Sequence, residues 1–316
     1  RMARPNFKGE TRFQENYFHK EIILPNAQIY GHFQLHDCDF NDDVNLENIE
    51  AKARIDLEQC RFRSKVRLGA GNFENKFVAK HCIFEKSAWF PKNCFKDVTV
   101  FTESRFESEV NFDSVVFEKE SNFNESHLTN ASFRDTRFLG DASFERARTH
   151  GEFLCYGAQF EKDALFTFCE MDGRVSFSNM VQFKGKADFY RAIFRGTVWF
   201  LGTYFKDVSF ANTTFEAQVF FSFDKNTLRE RNRRKKGGQK ELTLKYVSVF
   251  QGETNFTNAL FYRKAVFENV FFQQFANFEN AYFDEEIDFQ HCHFLKGGSF
   301  KGSFCTQELD FTKAIF

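Results

Sequence analysis

Two short stretches hold side chains that bind metals. One is HFQLHDC (32–38), with His32, His36 and Cys38. The other is HCH (291–293), with His291, Cys292 and His293. Imidazole and thiolate are the donors of a tetrahedral zinc site. A third set, Cys38, Cys60 and Cys82, recurs at a constant step of 22 and offers sulfur to a soft metal. A fourth carries charge: between 229 and 240 stand Arg229, Arg231, Arg233, Arg234, Lys235, Lys236 and Lys240 against one acid, Glu230. Such a run suits phosphate, an acidic partner or nucleic acid. The chain has no G-x-S-x-G, no P-loop and no dinucleotide-binding glycine fingerprint. Whether any of these sets is a site depends on the elements that carry it.

Those elements repeat. From Phe7 one series advances by eleven: Phe7, Phe18, Ile29, Phe40, Ala51, Phe62, Phe73, Phe84, Phe95, Phe106, Phe117. A second is offset by six: Phe13, Leu24, Leu35, Leu46, Leu57, Leu68, Ala79, Phe90, Phe101, Phe112. The beat returns near the end, from Phe256 to Phe316. An eleven-residue period also fits a right-handed coiled coil. The position two before each Phe rejects that reading, because it too is apolar or small. Two residues apart lie on opposite sides of a helix but on the same side of a strand. Each unit is therefore a very short strand with positions i−2 and i facing in, followed by a turn of Glu, Lys, Asn, Asp, Ser and Gly. Repeated, that unit makes a β-solenoid.

The cysteines set the coil length. Like residues at steps of 22 stack in neighbouring coils, so four strands, spaced five and six in alternation, close one four-sided turn. This decides the metal question too. Cys38 and Cys292 point inward while His36 and His293 point outward, so thiol and imidazole do not converge. The thiol column reads as buried structure. We expect no metal, no cofactor and no catalytic constellation.

Several units follow one consensus: ANFEN (276–280), ADFYR (187–191) and ASFRD (132–136). This resembles the pentapeptide-repeat family, whose unit is A-(D/N)-L/F-x-x, in its Phe-rich form with alternating five- and six-residue units. The resemblance implies an all-β, right-handed quadrilateral β-helix over nearly the whole chain, each step of 22 making one coil. The frequent six-residue unit departs from the family pattern. Some members of the family mimic duplex DNA and bind type II topoisomerases, and similar Phe-rich repeats are often attached to membrane proteins or effectors.

The pattern weakens in two places within what reads as a single domain over 1–316. Residues 139–183 are uneven: Thr149 replaces an expected Phe, which predicts a bulged loop at 146–153, and the phase slips by one at Gln182–Phe183. Residues 224–249 carry no Phe beat and read as an insertion, a projecting loop holding the basic run. Positions just before each Phe face solvent, among them Tyr17, Trp89, Trp199, Tyr204 and Phe271. Leu260, Tyr282 and Phe304 are spaced by 22 and should line up on one face as an exposed apolar stripe.

Net charge is −1 with 28% charged residues, which favours neither nucleic acid nor an anionic membrane. Balanced charge also argues against DNA mimicry, although 106–125 is locally acidic. No uncharged run reaches the roughly 18 residues that span a bilayer. RMARPNFKGETRF lacks a signal peptide's apolar core, and eight Cys in 316 residues are no disulfide framework. The expectation is a cytoplasmic, non-catalytic scaffold with a protein partner. The repeat stays in phase to Phe7 and Phe316, so self-association through an uncapped end is a further expectation.

Overall fold

Burial of phenylalanine on short strands shapes the whole chain. The computed structural model describes residues 4–222 and 247–316; among them every regular element is a strand and none is a helix. Coils follow one another through about thirteen turns. The chain divides into two compact units, Arg1–Phe153 and Leu154–Phe316. The basic run 229–240 lies outside the described residues.

In the first unit a coil consists of Asn6–Phe7, Thr11–Gln14, Tyr17–Phe18 and Ile22–Ile23. We call these the first to fourth faces. Each strand pairs in parallel with its equivalent one coil on: Phe7 opposite Ile29, Phe13 opposite Leu35, Phe18 opposite Phe40, Ile22 opposite Val44. The backbone is thus satisfied between coils, and inward side chains stack directly on their equivalents.

The corners explain the alternation of five and six. The five-residue corners are type II turns. In Leu24-Pro25-Asn26-Ala27 the amide of Ala27 donates to the Leu24 carbonyl at 3.3 Å, and Asn26 has φ of 60°. Proline presets the second turn position, and the third requires the left-handed region. Pro91-Lys92 repeats the device, with φ of 59° at Lys92. Left-handed residues recur at this eleven-residue beat, and many, such as His81, Lys92 and Phe168, are neither Gly nor Asn.

Inside, the rings stack. On the third face Phe18, Phe40, Phe62, Phe84 and Phe106 form one ladder with centroids 4.6–4.9 Å apart. The first and second faces begin with Phe7 and Phe13 but continue with aliphatic residues, and the fourth begins with Leu24. Unbroken ladders on these three start only at Phe73, Phe101 and Phe90. Where the main inward position is small, the position two before it enlarges. Phe77 precedes Ala79 and packs edge-on to Phe73 at 5.3 Å. Phe153, two before Cys155, reaches Phe133 and Phe144 at 5.5 and 5.6 Å.

That exchange corrects the bulged loop expected at 146–153. Regular strands occupy Arg148–Thr149 and Phe153–Leu154, and Thr149 is buried. Phe153 supplies the volume that Thr149 and Cys155 lack, so the coil has no reason to open. The register shift of this unit lies instead between Phe106 and Glu109: Phe106 pairs with Leu128, a step of 22, and Glu109 with Asn130, a step of 21.

The second unit keeps four ladders. One runs through Phe160, Phe183, Phe205, Phe250, Phe272 and Phe294, with centroids 4.7–5.2 Å apart. Phe177, Phe200, Phe221, Phe267 and Phe289 form another at 4.5–5.3 Å. Gln159 pairs with Gln182, a step of 23, which is the phase slip by one. The extra residue enters at a corner with two successive left-handed residues, Asn179 and Met180. On either side of residues 223–246 the strands pair in parallel, with Tyr204 opposite Val249.

Candidate interaction surface

The repeat leaves outward side chains free to vary, and the last coils spend that freedom on apolar groups. Leu260 lies opposite Tyr282, and Tyr282 opposite Phe304. The rings of Tyr282 and Phe304 stack at 5.7 Å, nearly parallel, and Phe304 is 60% exposed. The spacing of 22 thus aligns all three on one face of the second unit. Tyr282 donates its hydroxyl proton to Asp284 at 2.9 Å, and this bond holds the phenol above its ordinary pKa. Tyr262 flanks it at 6.0 Å, and the ion pair of Arg263 with Glu285, at 2.6 Å, borders the stripe.

A second strip, not singled out from the sequence, runs along another face of the same coils. Phe271 stacks on His293 at 4.5 Å, His293 bridges to Ile315, and Leu295 is exposed. Its signal was the spacing of 271, 293 and 315, the same arithmetic that links 260, 282 and 304. Other outward aromatics are covered by neighbours: Arg67 lies over Trp89 at 5.5 Å, and Arg174 over Trp199 at 5.8 Å. The Tyr204 hydroxyl donates to Gln251.

The metal-ligand types are placed apart. Cys38 and Cys292 are buried, while His36 points outward to Glu58 at 3.6 Å. The thiol column serves the backbone instead. Cys38, Cys60 and Cys82 donate to the carbonyls of Phe13, Leu35 and Leu57 one coil earlier, at 3.5, 3.4 and 3.2 Å. One coil further Ser104 donates in the same way to Ala79, at 2.6 Å. Thiol and hydroxyl are therefore interchangeable donors at this corner. Burial pushes the Cys82 thiol well up, which suits a donor rather than a nucleophile.

The first unit adds a polar groove that the sequence did not announce. Its second face carries four-residue strands, Thr11–Gln14, Phe33–His36, Ile55–Glu58 and Phe77–Lys80, so two rows of side chains face outward. A groove of about 360 Å³ runs between Arg12, His36, Asp56, Glu58 and Lys80. Asp56 accepts from Arg54 at 2.8 Å and lies 2.6 Å from the His32 ring. Four cations of the lining, Arg12, Arg54, Lys76 and Lys80, face two acids, Asp56 and Glu58, and no serine, threonine or cysteine lines the groove.

The family described as "Pentapeptide repeats (9 copies)" matches residues 101–148 and 256–303. No curated protein sequence matches the chain. Among solved structures, HetL, a pentapeptide repeat protein involved in heterocyst differentiation regulation from the cyanobacterium Nostoc sp., aligns at 11% identity. The alignment covers 100% of this chain and 88% of that one with a TM-score of 0.22, so the fold rests on this chain's own coils. Pentapeptide repeats are thus matched in both units, and the same four-stranded coil continues before and after the matched residues.

Proposed function

We propose that this chain is a non-catalytic scaffold that binds a protein partner through the stripe Leu260, Tyr282 and Phe304. The observation that carries the reading is the outward stack of Tyr282 on Phe304. Large aromatic side chains held rigidly at a surface lose little freedom on binding and bury much area, which makes them common anchors of interfaces. The polar border of Arg263 and Glu285 supplies the rim. Eight free cysteines, six of them buried, support a reducing compartment such as the cytoplasm. The basic residues of 229–240 form a second proposed contact.

Affinity capture from native lysate tests this, with the wild-type chain compared to a Tyr282→Ser/Phe304→Ser variant. A discrete partner held by the wild type and lost by the variant, at unchanged melting temperature, supports the reading. Removal of two anchors should weaken binding by about 2 kcal/mol or more, some thirtyfold. Equal capture by both sinks the stripe, and deletion of 226–244 in the same assay then reports on the basic run.

A further inference from the structure

The first unit also contains an apolar void. It is a cavity of about 110 Å³, and no polar atom lines it. One wall is the third-face ladder of Phe18, Phe40, Phe62 and Phe84. The fourth-face column Leu24, Leu46, Leu68 and Phe90 flanks it on one side, and Leu35 and Leu57 of the second face flank it on the other. In later coils of this unit the columns of those leucines hold rings: Phe112 and Phe133 in one, Phe101 and Phe123 in the other. The void therefore comes from leucine standing where phenylalanine stands in later coils, at three positions of one column and two of the other.

Its shape follows from the coils. Lining residues come from four consecutive turns, which at about 4.8 Å per turn extend over roughly 14 Å. So small a volume drawn out that far is a narrow channel parallel to the ladder. Water gains nothing there, because it needs two to four polar partners and finds none. The lining carbons lack dispersion partners on the channel side. A guest that restores those contacts must be apolar, unbranched and about one methylene chain wide.

We propose that this channel is a binding site for a single straight alkyl chain, as in a fatty-acyl or other lipid tail. The flat ring ladder forms a smooth bed along which methylenes lie in register-free contact, and the leucine methyl groups close over them. A ring-shaped or branched guest of equal carbon count is too wide. This site is independent of the stripe in the second unit and of the scaffold reading.

Methyl-labelled protein titrated with n-hexane, and separately with cyclohexane, tests the proposal by NMR. Saturable shifts of the Leu24, Leu46 and Leu68 methyls with n-hexane, at least tenfold weaker with cyclohexane, are the expected result. Leu46→Phe should abolish them, because it places a ring where the later coils already carry one. Leu24→Phe is the second variant should the first not fold. No saturable shift with n-hexane in the wild type overturns the proposal, even if xenon enters the cavity. Equal response to both hydrocarbons, or an unchanged response in a folded Phe variant, overturns it as well.

Discussion

The early coils of the first unit and the coils of the second solve one packing problem in two ways. Between Phe18 and Phe84 one aromatic ladder is surrounded by leucine, isoleucine and valine, and a channel remains. From Phe194 to Phe283 the second unit stacks rings on all four faces. Stacked rings repeat at the coil spacing and also meet edge-on across the axis, as Phe256 meets Phe221 and Phe267 at 5.8 and 5.6 Å. A leucine reaches less far and makes no such cross-axis contact. The difference teaches that the ladder on one face is enough to keep the coil, whereas four are needed to fill it.

The chain carries its own reporters of that contrast: its two tryptophans are Trp89, in the first unit, and Trp199, in the second. The largest expected effect is on the aromatic core. Phe256→Ala removes a fully buried ring from contacts with Phe210 and Phe278 at 4.8 and 4.7 Å. It should cost about 3–5 kcal/mol in denaturant unfolding followed at Trp199. Leu68→Ala, beside the existing channel, should cost only about 2 kcal/mol, read at Trp89. Equal losses would show that the two packings are energetically alike.

Acid should separate the units next. Asp288 is 5% exposed, and burial pushes its carboxyl up to about 6. The unfolded group titrates at about 3.9. The folded state therefore holds the proton more tightly. Its contribution is most favourable below about pH 4, and it declines as pH rises through 6, a difference of roughly 2–3 kcal/mol. Asp288→Asn should flatten that slope and stabilise the second unit at pH 7.5. In the first unit Asp43 behaves oppositely: a bond from the Ser64 hydroxyl, at 2.5 Å, lowers its pKa. Its contribution is present at neutral pH and disappears as pH falls through the carboxylate range. A Trp199 transition indifferent to pH between 4 and 7.5 would refute the Asp288 account.

A smaller effect tests the thiol column. Cys60→Ala leaves the Leu35 carbonyl without its side-chain donor and should cost about 1–2 kcal/mol. Cys60→Ser should recover most of it, since Ser104 already performs the same task. If serine is as costly as alanine, the hydrogen bond is not the cysteine's contribution. The smallest effect concerns the turns, which the units share. Lys92→Gly relieves a side chain in the left-handed region and should gain about 0.5–1 kcal/mol, net of glycine's greater unfolded freedom. At Phe168→Gly in the second unit the gain should be smaller, because the ring's contacts with Tyr190 and Arg191 at 5.7 and 5.8 Å are lost with it.

Much of the coil was legible in advance. Phe40 and Phe62, or Tyr282 and Phe304, were paired by counting to 22, because strand pleat and coil length are local rules that every unit obeys. The inward cysteines and outward histidines followed from the same parity. Thr149 was misjudged because volume was counted at one position, while Phe153 compensates from the next strand. The groove at Asp56 was missed since outward residue types obey no repeat, and the strip at Phe271 because the count of 22 was applied to 260, 282 and 304 but not to 271, 293 and 315.

The order of side chains along the chain determined by itself which residues face in, how many complete a coil, and which become neighbours one coil away. Alternation along a strand and a constant period suffice for that. Only the tertiary structure decided where rings fill the axis and where leucines leave a channel, and which carboxyl is buried. Those outcomes depend on volumes summed across four faces and several coils, a quantity no single period in the sequence contains.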